Sequence, residues 1–148
     1  MARLFIVRWS AALLVVALGA VLVATLTPEP IDRGAKPVIS DFLEGLHRHG
    51  LPQLFGYAAI EFGANVVMFA PLGFLLTMVL PLKRWWLAPL VGAALSAGIE
   101  LAQLTTFADR FASVGDVLAN SIGAVLGAVL ATAWRRRSAH RRANRETP

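Results

Sequence analysis

Four long runs of apolar side chains dominate this sequence: Trp9–Leu26, about Ala58–Leu80, Leu87 to about Phe107, and about Val117–Trp134. The hydrocarbon core of a bilayer needs about 20 such residues per helix. In lipid, every backbone N–H and C=O must find its partner within the protein, so an isolated apolar run of this length is stable only as an α-helix. The chain therefore reads as an all-α integral membrane bundle of four transmembrane helices, with a short extracytoplasmic interfacial helix. At 57% hydrophobic and 16% charged, the composition is too apolar for an ordinary soluble domain. The length allows a single membrane domain over residues 1–134, followed by a basic tail over 135–148. With no cysteine, disulfides, thiolate metal sites and a Cys nucleophile are excluded.

The first run has a basic front in Arg3 and Arg8, as a cleaved signal peptide would. Its apolar stretch exceeds the usual ~7–15 residues and no Ala-x-Ala site precedes Pro28, so it is expected to stay as an anchor. The net charge of +5 invites a nucleic-acid reading, but six arginines lie between Arg135 and Arg145, directly after an apolar run. That placement marks a membrane edge, and no nucleic-acid partner is expected. Ten basic residues fall on one side of the four spans (Arg3, Arg8, Lys83, Arg84 and the six tail arginines). Four fall on the other: Arg33, Lys36, Arg48 and Arg110. The bias places both termini in the cytoplasm of a cytoplasmic-membrane protein, with Trp85, Trp86 and Trp134 as interfacial indoles.

Between the first two spans, Pro28, Pro30 and Pro37 favour an extended start. "VISDFLEGLHRHG" then sets Val38, Ile39, Phe42, Leu43 and Leu46 at helical spacing, with Gly50 as a stop. This predicts a short helix on the outer membrane face, functioning at least as an amphipathic linker. His47 and His49 point to different faces and have no third partner, so no metal site is expected, nor any cofactor.

The spans carry few polar residues: Glu61 and Asn65 in the second, Glu100 and Gln103 in the third, Asp116 and Asn120 at the head of the fourth. A carboxylate near the bilayer centre costs about 2.5–3.5 kcal/mol on insertion scales, so such groups face a bundle interior or a water pocket. All six fall at a similar depth below the outer surface. On the fourth span Asp116, Asn120, Gly123 and Gly127 share a face. Gly123-x-x-x-Gly127 lets another helix approach closely. On the third span, Ser96, Glu100 and Gln103 share a face above Gly92 and Ala93. Asn65 lies shortly before Pro71, whose missing N–H frees a carbonyl.

Bland readings stand beside the functional ones. Asn65 and Asn120 read equally as interhelical hydrogen-bond partners, and Pro71, Gly73, Gly123 and Gly127 as packing residues. Asp116, after Gly115, reads equally as the N-cap of the fourth span. Glu61 suits an interfacial position. Glu100 is hardest to explain by packing, because a helix contact does not require a charge. Arg110, in the turn "FADRFAS", is placed to pair with Glu100 or Asp116 if that turn folds back over the bundle.

"NVVMFAPLGFLL" (Asn65–Leu76), "IELAQL" (Ile99–Leu104), Arg110 and "DVLANSIGAVLG" (Asp116–Gly127), in that order, resemble the VanZ-like family. The resemblance is strongest over residues 65–127; the Asp-Lys and His that some members carry just before the Asn are absent from "LFGYAAIEFGAN". It implies a small multi-pass membrane protein, in a family named after an accessory protein of resistance to teicoplanin, a lipid-tailed glycopeptide. No established catalytic mechanism comes with it.

Three functions follow as expectations. In the first, Asn65, Glu100, Gln103, Arg110, Asp116 and Asn120 form an outer-leaflet pocket for a membrane lipid or lipid-linked envelope precursor, with a possible effect on glycopeptide susceptibility. In the second, the polar layer fixes helix register and the small-residue face meets a membrane partner or a second copy of the chain. In the third, Glu100 and Asp116 act as a catalytic acid and base on a lipid-linked substrate. The chain has no Ser-His pairing and no Gly-rich phosphate loop, which weighs against an enzyme.

Overall fold

A computed structural model describes residues 2–27, 34–106 and 113–146, with side chains described from 4 to 141 within those limits. Among them the chain forms helices α1 (Ala2–Leu26), α2 (Lys36–Arg48), α3 (Tyr57–Val79), α4 (Leu87–Thr106) and α5 (Val114–Glu146), with a 3₁₀ turn at Leu82–Arg84. Four of these, all but α2, are long and apolar enough to cross a membrane. The chain is a multi-pass membrane protein. Helix α5 continues unbroken from the apolar run into the basic tail as far as Glu146.

The short helix α2 forms where its apolar spacing predicts. Pro37 sits in its first turn, where a missing N–H costs nothing. Its end is a Schellman motif: the N–H of Gly50 bonds to His47 O at 3.1 Å and that of Leu51 to Leu46 O at 3.1 Å. The motif needs a left-handed residue after the cap, and Gly50 supplies it at φ +99°. Leu43 is buried, whereas Val38 and Phe42 of the same apolar face stay exposed.

Lipid tails are as apolar as leucine, so packing between the spans rests on close approach rather than on escape from water. The tightest pair is α3 with α5, which run parallel. A Cβ on Gly123 would overlap the carbonyl of Val66, one on Gly127 the carbonyl of Ala70, and one on Gly73 the backbone of Ala124. Small residues on both helices thus bring backbone against backbone. Helix α4 packs antiparallel on α5, its Gly92 against the Ala124 methyl. Pro71 lies inside α3 with its ring exposed, and the helix runs through it.

Helix α1 is peripheral. Only 11% of its apolar window is buried, against 39% for α5, so most of its surface is left for lipid. Its inner face joins α3 and α4 through a cluster of Val21, Phe69, Leu72 and Ile99, in which Phe69 is fully enclosed. This packing sets the ends of α1 and α4 and the beginnings of α3 and α5 at one end of the bundle. The arginine-rich half of α5 lies at the other.

Candidate functional site

At the first end, the buried polar residues meet the termini of neighbouring helices. A helix N-terminus presents unbonded N–H groups and a partial positive charge. Ser113 caps α5: its Oγ accepts the N–H of Asp116 at 3.2 Å. In a capping box, the acid three residues on would accept the N–H of the cap itself. Here that N–H is donated at 2.7 Å to Oε2 of Glu100, which reaches across from α4. Glu100 is only 7% exposed, and its carboxylate sits against the positive end of α5. A buried acid is stabilised in this way by a neighbouring helix.

Gln103, one turn further along α4, serves the opposite kind of terminus. Its Nε2 donates at 2.7 Å to the carbonyl of Thr25, in the last turn of α1, where carbonyls lack intrahelical partners. Two side-chain pairs complete the layer. Asn65 Nδ2 of α3 donates to Asp116 Oδ1 of α5 at 2.8 Å. Asn120 Nδ2 of α5 donates to Ser96 Oγ of α4 at 2.8 Å. Asn120 is 4% exposed, and its carbonyl oxygen is buried with no hydrogen-bond partner among the described residues. Asp116 is half-buried.

The structure therefore brings Asn65, Glu100, Gln103, Asp116 and Asn120 to one end of the bundle, on three helices. Glu61 lies exposed on α3. Arg110 and Asp109 lie outside the described residues. One alternative is corrected: Asp116 is not the N-cap of α5. The helix begins at Val114 on the cap Ser113, and Asp116 occupies its third position. The reason is the hydroxyl at Ser113, which reaches the Asp116 N–H while the carboxylate turns to Asn65.

Sequence reasoning passed over Ser113 and Thr25. For Ser113 a signal existed, since Ser113-x-x-Asp116 before an apolar run is a helix-start signature. For Thr25 there was none, because it contributes a backbone carbonyl. Arg135 was likewise read only as one of a basic cluster. Its Nη1 donates to the carbonyls of Thr77 at 2.7 Å and Leu80 at 2.8 Å, closing the C-terminal end of α3.

Compared with known protein families, the sequence matches the VanZ/LLP1 family over residues 13–135, which is most of the chain. No curated protein and no solved structure matches it.

Proposed function

We propose, from the premise that this chain belongs to the VanZ/LLP1 family, that its polar layer binds the polar head of a membrane lipid or lipid-linked envelope component. The observation that carries this reading is the buried carbonyl of Asn120, which has no partner among the described residues, in a layer that also holds the half-buried carboxylate of Asp116. A buried acceptor with no partner costs free energy and calls for a donor. Sugar hydroxyls, amides and ammonium groups of lipid heads supply such donors. Arg110 is assigned the anion of the head. The ten-to-four charge bias supports an outer-leaflet position for the layer in the cytoplasmic membrane, with both termini inside. Envelope precursors and lipid-tailed glycopeptides meet at that leaflet, so altered glycopeptide susceptibility is the cellular consequence.

A second reading is favoured by a different observation. Glu100 and Gln103 have backbone partners on adjoining helices, as a purely architectural layer would require. In that case the layer fixes helix register and the protein acts through a membrane partner or a second copy.

Native mass spectrometry of the chain purified in mild detergent separates the two. A defined lipid on the wild type that Asp116→Asn and Arg110→Ala both lose, at matched folding, is expected for the head-binding site. No specific lipid, or one indifferent to both substitutions, removes that site and leaves the architectural layer.

A further inference from the structure

The opposite end of the bundle carries a separate arrangement. A groove of about 300 Å³ opens between the turn that precedes α4 and the middle of α5, lined by Trp85, Val129, Thr132, Ala133 and Arg136. It lies where the apolar part of α5 gives way to the arginine run. Its polar complement is rich in donors. Arg136 is exposed and makes no ion pair or hydrogen bond among the described residues. The indole N–H of Trp85 likewise has no acceptor among them. Thr132 is 8% exposed, and its hydroxyl is buried with no partner among the described residues.

The surroundings share one sign. Lys83 and Arg84 stand exposed in the 3₁₀ turn beside Trp85. The acidic side chains that the structure describes, Asp41, Glu44, Glu61, Glu100 and Asp116, all belong to α2 or to the polar-layer half of the spans. Both walls of the groove are also held in place. Arg135 ties α5 to the carbonyls of Thr77 and Leu80, just before the turn that carries Trp85.

We propose that this groove binds the phosphodiester headgroup of an anionic phospholipid. The Arg136 guanidinium and the Trp85 indole N–H offer donors to one phosphate, and Arg matches such oxygens in a fixed fork. Val129 and Ala133 form an apolar wall that suits the glycerol and first acyl carbons and is of no use to free phosphate. A basic pocket between helices at the membrane edge is the form that anionic-lipid recognition takes. The assignment does not depend on the polar layer at the other end.

The test uses Trp85 as its own reporter, in the full chain with Trp9, Trp86 and Trp134 changed to Phe. The chain is placed in phosphatidylcholine vesicles that contain an equal small fraction of brominated phosphatidylglycerol or brominated phosphatidylcholine. Trp85 fluorescence is expected to report a preference of about fivefold for the anionic lipid, the equivalent of about 1 kcal/mol. Arg136→Gln, at an exposed position, is expected to remove that preference. The same lipid preference is expected by native mass spectrometry of the chain with all four tryptophans present. Equal quenching by the two lipids, or a preference that Arg136→Gln leaves intact, overturns the assignment. So does a preference abolished by inorganic phosphate at ionic strength held constant with chloride, which would give the groove to the free anion.

Discussion

Glu100 looks out of place in "GIELAQ" only while its own helix is considered. Its carboxylate meets the N–H of Ser113 at the start of α5, so one helix supplies a charge and the other a terminus that attracts it. Removing the acceptor should therefore cost more than removing the charge. Glu100→Ala leaves the Ser113 N–H without this acceptor and is expected to lose about 1–3 kcal/mol. Glu100→Gln keeps an acceptor and is expected to lose about 0.3–1 kcal/mol. Unfolding of the purified chain in detergent, followed by circular dichroism, should place the variants in that order; equal losses would refute the capping role. For the Asn65–Asp116 pair, a double-mutant cycle is expected to give a coupling near ~0.6 kcal/mol and below ~1.7 kcal/mol. A coupling of zero would mean that the 2.8 Å contact adds nothing. That Glu100, Gln103 and Asn120 are buried was legible from their place in apolar runs, whereas Glu61 lies exposed and the buried Thr77 and Thr132 gave no such signal. What the polar side chains bind was not legible, because Glu100, Gln103 and Arg135 all reach backbone groups, and a sequence does not display its carbonyls and amides as distinct from one another.

The elements differ in how they use small residues. Gly73, Gly123 and Gly127 lie where a methyl group would meet the backbone of the facing helix, which cannot move aside as a side chain can. Gly98 in α4 has open space where its Cβ would be. Gly127→Ala is accordingly expected to destabilise the bundle by about 1–3 kcal/mol through forced separation of α3 and α5. Gly98→Ala is expected to be neutral or to stabilise by up to about 1 kcal/mol through helix propensity. Thermal melts of both variants in one detergent check the contrast, and a Gly98 variant as damaging as the Gly127 one would contradict it. The spacing of Gly123 and Gly127 made their face legible in advance. The close fit of Gly73 against Ala124 was not, since nothing in "APLGFLL" says which helix comes to meet it.

At the scale of the molecule, four helices long enough to cross a membrane would return the chain to the side from which it started. Basic-residue asymmetry predicts that this side is the cytoplasm. A reporter fused after Phe107 is expected to be extracytoplasmic, and one fused after Pro148 cytoplasmic, as read by paired phosphatase and fluorescent-protein activities. A fluorescent fusion after Phe107 would reverse the assignment. The number of spans could be read from hydropathy, and their ends to within a few residues. The exceptions were the first helix, which starts at Ala2 ahead of the apolar run that opens at Trp9, and the last, because hydropathy falls at Arg135 while helix-forming side chains continue. With 33 residues the last helix is about 50 Å long at ~1.5 Å per residue, against a hydrocarbon core of about 30 Å. Asn120 and Arg136 thus belong to one continuous helix that is longer than the hydrocarbon core, so its arginine-bearing end extends past the lipid tails into the aqueous boundary.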